Sequence, residues 1–411
     1  MITLREQTLL QDEYIDQFNL RDTYTSIPVE QLALNRDADG NWWSSYYIGI
    51  SEINGKKIEV LPKLKNLDFM SLFSFALLYQ PSSEYFSSCY DINWDKEVVA
   101  STELYNVLTP LLVMQYLSLL EKLVGKGLKR DYLTFEENLH SKIRGKLKPI
   151  PNWRKNGVKK KDYHFYCKYQ VFTSNIPVNR LLKKALDISL HLLGDIRSRS
   201  NNMTGLTFLS SKLKLIDSFR EIDNNVRIES VRNCKFDKLN LYYNDAIRLA
   251  KSIIRHQDNS LAESGGKKKV PMFWIDMSRL YEVYVLGLLQ SRYPNQILFQ
   301  VEGSYKTQCD YLHIGEGIVL DAKYKLWYSS LQGRKQHKDS MIADIREISA
   351  YARDERFLHI MKNDTNSPIC VIIHPDDETT KLETELALSV EKNKIEGYRD
   401  FYRLGIDLPR L

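Results

Sequence analysis

The chain has 411 residues, of which 43% are hydrophobic and 27% charged, and its formal net charge is +6. That length exceeds one ordinary core and implies two or three globular domains, while the absence of a run of 18 apolar residues argues against a membrane span or a membrane partner. The modest positive charge permits a nucleic-acid partner without demanding one, and five scattered cysteines with no CxxC pair argue against a zinc site and fit a reducing cytoplasm.

The opening "MITLREQTLLQDEYID" has early acids and no apolar core, so it does not read as a signal peptide. The first sixty-odd residues look β-rich. Tyr46–Ser51 and Lys57–Leu61 read as strands joined at Asn54-Gly55, a hairpin turn pair. Leu67–Pro81 is apolar with helical length. The stretch "VVASTELYNVLTPLLVMQYLSLLEKLVGKGL" predicts a long helix, with a break or kink at Pro110. From Ser141 to Lys161 the chain carries nine Lys or Arg and no acid, with prolines and glycines that suggest a loop. Trp153 within it and Tyr163, Phe165 and Tyr166 just beyond it read as local core. A helical region is expected from 167 to 193, entered at Asn175–Pro177, with further helix past Ser210 and through 241–256. Asn259–Pro271 reads as a linker. Beyond it come a helix beginning near Trp274, strands at Ile297–Val301, Thr307–Ile314, Ile318–Tyr324 and Ile369–His374, and a helix at about Ser340–Arg353.

The strand "IVLDAKYKLW" poses a chemical question, because charges are costly to bury unless paired or bound to a metal. Side chains alternate along a strand, so Asp321 and Lys323 share a face. Asp310 lies on the preceding strand, across the tight Gly315-Glu316-Gly317 hairpin, whose Glu316 is expected to face solvent. Two carboxylates converging from adjacent strands suit a hard cation such as Mg²⁺ or Mn²⁺, with the Ala322 carbonyl as a third oxygen. Lys323 would hold or activate the attacking water. Glu282, in the apolar "RLYEVYVLGLL", and Glu347 with Tyr351, four apart on one helix face, are further catalytic candidates. Singly, each has an ordinary explanation as a surface ion pair or turn acid. Their order along helix, strand, hairpin, helix and strand resembles the PD-(D/E)xK nucleases, in which a metal acidifies water and offsets charge on the scissile phosphate. Lys325, Arg334 and Lys335 are candidate DNA contacts.

Longer segments resemble one family, that of McrC, the nuclease subunit of the McrBC modification-dependent restriction systems. "LYEVYV", "CDYLHI…IVLDAKYK" and "DIREISAYA" resemble its nuclease motifs, and "IEVLPKL", "KIRGKL" and "CKYQVFTSNIPVNRLLKKAL" resemble upstream ones. Cys309 stands where the family usually has proline, and Glu347 where it has glutamine. Residues 1–40 and 196–235 carry no recognisable motif. The resemblance implies an α+β multidomain chain: an N-terminal partner-docking region (1–165), a helical middle with linker (166–265), and a PD-(D/E)xK endonuclease domain (266–411). It also implies a separate AAA+ GTPase ring, McrB-like, that recognises modified DNA and is stimulated by the N-terminal part. No G-x-x-x-x-G-K-[ST] occurs, Gly265-Gly266-Lys267-Lys268 being the nearest approach, so no nucleotide site is expected in this chain. Arg144 and Lys146 are candidates for stimulating the ring, with DNA phosphates as the other reading of the basic stretch. Two alternatives stay open: a non-catalytic stimulatory subunit of a ring, and a stand-alone nuclease. Because the motifs flank the linker, a fragment ending near Ser264 is expected to keep partner docking without cutting.

Overall fold

The computed structural model describes residues 2–21, 27, 34–37, 39–78, 85–199, 212–231, 242–262, 268–362, 367–376 and 393–410. They form two compact units: Met1–Leu111, Arg199–Phe208 and Gly265–Leu411 in one, Leu112–Ser198 and Leu209–Ser264 in the other. This differs from the three consecutive segments expected, since the first hundred residues group with the last hundred and fifty rather than with the middle of the chain.

The first unit opens with β1 (Ile2–Arg5), β2 (Leu34–Arg36), β3 (Trp42–Ser44), β4 (Tyr47–Ile53), β5 (Lys56–Leu61) and β6 (Tyr90–Ala100). The expected β4–β5 hairpin is present. Asn54 and Gly55 take positive φ, 48° and 79°, as a two-residue turn that follows strand twist requires. Phe69–Leu78 is helical, as its apolar run predicts. The long helix spans Thr102–Lys126 and runs through Pro110, so of the break or kink expected there the break does not occur; the unit boundary falls within it. By length and composition Glu103–Lys126 would pass for a membrane span, but 56% of its apolar window is buried, as in the core helix of a globular domain.

The second unit contains β7 (Asp131–His140), β8 (Lys146–Leu147) and β9 (His164–Thr173), in the order β7-β9-β8. β7 and β9 pair antiparallel along their whole length, from Asp131↔Thr173 to His140↔His164. Residues 164–173 are therefore strand, not the start of a helical region. The helix follows at Pro177–Arg199, where Asn175–Pro177 predicts it, and Tyr242–Ala262 is a second long helix. Asn179 ties this unit together: its amide donates to the carbonyls of Lys129 (2.9 Å) and Ser174 (2.7 Å), and its oxygen accepts from the Tyr243 hydroxyl at 3.1 Å. The expected basic loop is folded. Pro149–Asn152 is helical and Trp153–Gly157 forms a π-helical turn. Buried Asn156 organises it, with its Nδ2 within 2.7 Å of Asn138 Oδ1, 2.8 Å of Asn152 Oδ1 and 2.9 Å of the His164 carbonyl. Polar amides rather than an apolar stripe hold this segment. Trp153 and Tyr163 are accordingly 67% and 72% exposed, correcting their reading as core.

The chain returns to the first unit through β10 (Lys268–Asp276), which pairs antiparallel with both β4 and β6. The sheet order is β1-β5-β4-β10-β6. The supposed linker is thus largely structured: Asn259–Ala262 ends a helix and Lys268–Pro271 is strand, while 263–267 and most of the glycine-lysine run lie outside the described residues. Gly49 is required at this junction, because a Cβ there would lie 2.1 Å from the Phe273 carbonyl oxygen. The second sheet comprises β11 (Ile297–Glu302), β12 (Gln308–His313), β13 (Ile318–Ala322), β14 (Ile369–Asp376) and β15 (Phe401–Asp407), in that order. β11 to β13 are antiparallel neighbours, and β13 to β15 run parallel. The helix Met277–Arg292, capped by the Asp276 carboxylate, precedes the sheet. The helix Lys338–Tyr351 packs Ile345 and Ile348 with Val319, Ile372 and Cys309 in one buried cluster. β15 has no counterpart in the sequence reading.

Candidate active site

The β12–β13 register pairs Tyr311 with Leu320 and Leu312 with Val319, so the next step brings Asp310 opposite Asp321. A cross-strand hydrogen bond fixes this meeting, with the Ala322 N–H donating to Asp310 Oδ2 at 2.9 Å. Asp321 is 2% exposed. Lys323 Nζ stands 2.9 Å from Asp321 Oδ2 in an ion pair, and otherwise this buried oxygen accepts no hydrogen bond. The same ammonium reaches Glu347 Oε2 at 2.8 Å, and the Tyr351 hydroxyl donates to Glu347 Oε1 at 3.0 Å. Glu282 comes in from the preceding helix, which the Tyr311 hydroxyl ties to β12 by donating to the Glu282 carbonyl at 2.6 Å. Asp310, Asp321, Lys323, Glu282, Glu347 and Tyr351 are therefore brought to one place. Glu316 is exposed at the hairpin tip, as expected.

The electrostatics are those of crowded, desolvated carboxylates. Burial, then the charge on Glu282, pushes Asp310 up to about 7. Burial and then Asp310 push Asp321 up to about 7. Burial, then Asp276 and Asp321, raises Glu282 to about 7. Burial works against the charge on Lys323, yet Asp321 and Glu347 hold its ammonium well above the ordinary lysine range. Glu347 is likewise opposed by burial but kept below its usual value by Lys323. Buried negative charge in excess, with an Asp321 oxygen lacking a hydrogen bond, is the electrostatic setting that a divalent cation would relieve. Among the described residues no group of three or more His, Cys, Asp or Glu side chains is spaced to hold a metal. A cation here would rest on Asp310, Asp321 and the Ala322 carbonyl, the sparse oxygen set that suits Mg²⁺ with its retained waters.

The proposed DNA contacts fare differently. Lys325 turns inward: its ammonium binds both oxygens of buried Asp344, at 2.7 and 2.8 Å, so it is engaged within the protein. The expectation that it contacts DNA is corrected on that ground, because breaking a buried ion pair is costly. Arg334 is half-buried and donates to the Tyr328 carbonyl at 2.5 Å, whereas Lys335 is exposed. In the other unit, Arg144 and Lys146 are exposed beside Gly145. Gly145 has φ 67°, and a Cβ there would meet the Lys168 carbonyl oxygen at 2.5 Å. The Arg144 guanidinium lies over the Tyr169 ring at 4.5 Å.

Residues 44–356 match the McrBC 5-methylcytosine restriction system component family, well over half of the chain. The chain belongs to that family. No curated protein matches this McrBC-family chain. Among solved structures it is similar to a chain of the half-complex from the tetradecameric assembly of Thermococcus gammatolerans McrB AAA+ hexamers with bound McrC, at 17% identity over 99% of this chain and 94% of that one, with a TM-score of 0.35. A second likeness is to the Thermococcus gammatolerans McrBC complex, at 15% identity over 83% of this chain and 99% of that one, with a TM-score of 0.30. Both are too distant to place individual residues.

Two residues of this McrBC-family chain were not foreseen, one touching the centre and one behind it. Gln300, on β11, donates to both Glu282 Oε2 (3.3 Å) and Asp310 Oδ1 (3.2 Å). Glu6, just after β1, accepts a hydrogen bond from Tyr324, the residue following Lys323. A glutamine in an edge strand carries no sequence signal. The only sequence sign of Glu6 is an acid beside the apolar β1, and it is weak.

Proposed function

We propose that this chain is the DNA-cutting subunit of an McrBC-type restriction complex: a Mg²⁺- or Mn²⁺-dependent endodeoxyribonuclease with a PD-(D/E)xK domain, which works with and stimulates a cytoplasmic AAA+ GTPase ring. The observation that carries the reading is the meeting of Asp310 and Asp321 across β12–β13, with Lys323 in contact and Glu282 and Glu347 arriving from two helices. Family membership supports the restriction-system setting and the ring partner.

Asp310, Asp321 and the Ala322 carbonyl would hold the cation, which supplies Lewis-acid charge to the scissile phosphate and acidifies water. Lys323 remains an ammonium throughout. From its place beside Asp321 it steadies the attacking water or the charge growing on the phosphate oxygens. Glu347 anchors that ammonium, and Tyr351 in turn orients Glu347. Burial of Asp321 keeps bulk water from screening these interactions. In the second unit, the exposed turn bearing Arg144 and Lys146 presents cations to the ring, where a guanidinium beside a bound triphosphate organises the partner's hydrolytic water.

The test is cleavage of methylated and unmethylated plasmid by the chain together with its AAA+ partner, GTP and Mg²⁺. Cleavage is expected with Mg²⁺, and loss of it with EDTA or with Asp321→Asn. Wild-type cutting by Asp321→Asn would overturn the site. Stimulation of GTP hydrolysis without any cutting by the wild type would leave the non-catalytic reading.

A further inference from the structure

The contact between Gln300 and two of the acids concerns how the centre is assembled before any cation arrives. Glu282 sits on a helix and Asp310 on β12. Both are carboxylates, so they repel one another. Gln300 lies between them on β11, an edge strand of its sheet. Its Nε2 carries two hydrogens and spends one on each acid, at 3.3 Å to Glu282 Oε2 and 3.2 Å to Asp310 Oδ1. Asp310 Oδ2 is already held by the Ala322 N–H at 2.9 Å. Both oxygens of Asp310 are thus fixed by neutral donors, one from each neighbouring strand.

The backbone supplies an independent observation. Gln300 has φ +50°, a left-handed conformation that a side-chain-bearing residue seldom adopts. Phe299 pairs with Tyr311 and Val301 with Cys309, so the ladder closes on both sides of this kink. Glycine would take the same conformation without strain, and asparagine with less. A kink alone does not need glutamine. What glutamine adds is an amide long enough to reach both carboxylates.

We infer that Gln300 is a positioning residue for the divalent-cation centre: its amide aligns Glu282 and Asp310 for the cation that Asp310 and Asp321 bind. The inference rests on the metal-centre reading above. A neutral donor suits this task, since it screens the repulsion of the acids without competing with the cation as an ammonium would. Glu282 thereby becomes an outer carboxylate of the centre, held near the cation without being one of the ligands assigned to it. Removing partners of this kind lowers metal affinity by roughly ten- to a hundred-fold.

The experiment uses the full chain and reads Mn²⁺ binding by calorimetry, cleavage against Mg²⁺ concentration, and thermal stability. Gln300→Gly keeps the backbone conformation and removes the amide. It is expected to remain folded, to bind Mn²⁺ roughly ten-fold or more weakly, and to need proportionally more Mg²⁺ for half-maximal cleavage, with the rate recovered at saturation. Gln300→Lys reaches the same acids with a charge and is expected to remain folded while losing Mn²⁺ binding. If Gln300→Gly instead lowers the saturating rate and leaves Mn²⁺ affinity and the Mg²⁺ midpoint unchanged, Gln300 only shapes the strand and the inference fails. Asp321→Asn is run alongside. If it binds Mn²⁺ like wild type, the metal-centre reading itself has failed; if it loses binding while Gln300→Gly does not, only the role of Gln300 is overturned.

Discussion

The Tyr324 hydroxyl donates a 2.8 Å hydrogen bond to Glu6 Oε1 across 318 positions of sequence. The Lys63 N–H donates to the same oxygen at 2.9 Å, and the other carboxylate oxygen, Oε2, is buried without a hydrogen bond. Tyr324 directly follows Lys323, so the N-terminal sheet grips the end of the strand that carries the candidate chemistry. This clasp, together with β10, explains why the two ends of the chain form one compact unit.

Glu6 gives a pH prediction. Burial raises its carboxyl from 4.5 to about 7, against the hydrogen bonds from Lys63 and Tyr324 and with a small further push from Asp276. Between pH 4.5 and 7 the folded state therefore holds the proton more tightly than the unfolded chain. Its contribution is fully present below about 4.5, falls as pH rises to about 7, and stays low above that. Asp310, Asp321 and Glu282 are raised in the same direction, so the comparison must be between variants. Glu6→Gln cannot ionise, and relative to wild type it should gain roughly 3 kcal/mol between pH 4 and pH 8. Urea titrations of both proteins in EDTA at the two pH values measure this, and parallel pH profiles would sink it.

Lys323 separates chemistry from binding. Lys323→Ala removes the ammonium beside Asp321 and Glu347 but leaves Asp310, Asp321 and the Ala322 carbonyl in place. Cleavage should fall by about a hundred-fold or more, while Mn²⁺ still binds. Equal loss of Mn²⁺ binding would mean that Lys323 holds the two aspartates together instead of serving the reaction.

Glu347 tests the departure from the family pattern. Lys323 donates to one of its oxygens and Tyr351 to the other. Glu347→Gln keeps one oxygen for Lys323 and offers its amide to the Tyr351 hydroxyl, which accepts as readily as it donates. Cleavage should stay within several-fold of wild type, whereas Glu347→Ala, which leaves Lys323 with one partner fewer, should lose on the order of ten-fold or more. If glutamine and alanine are equally damaging, it is the charge at 347 and not its hydrogen bonding that matters.

The parts of the site legible in the sequence were those fixed by local rules. Asp310 and Asp321 meet because a tight hairpin sets their register, and alternation carried one residue past the end of β13 puts Lys323 beside Asp321. Glu347 and Tyr351 share a face because they are four apart on a helix. The rest depends on distant pairing. β10 looks like a linker, with lysines and a proline, and becomes a strand because β4 and β6 flank it. The β7–β9 ribbon alternates weakly because much of both faces is exposed. The inward turn of Lys325 is set by Asp344, nineteen residues away on the next long helix. None of these partners is visible in a sequence window.

The place of β10 changes how the division of labour is tested. A fragment ending near Ser264 would lack the strand between β4 and β6, and it would also lack Tyr324, the partner of Glu6. Its failure to bind a ring would then report unfolding of the N-terminal sheet and nothing about docking. Point variants of the full chain avoid this. Asp321→Asn should abolish cleavage and leave stimulation of the partner's GTP hydrolysis at the wild-type level, since Asp321 is buried in one compact unit and Arg144 is exposed in the other. Arg144→Ala should do the converse, lowering stimulation by about ten-fold or more while Mn²⁺ binding is unchanged. Arg144→Lys keeps the charge but not the planar fork, and a partial effect would point to a guanidinium contact with phosphate. The measurement is GTP turnover by the ring with each variant, beside plasmid cleavage. If Arg144→Ala stimulates like wild type, the basic turn is not the stimulating element, and DNA phosphates become its better-supported partner.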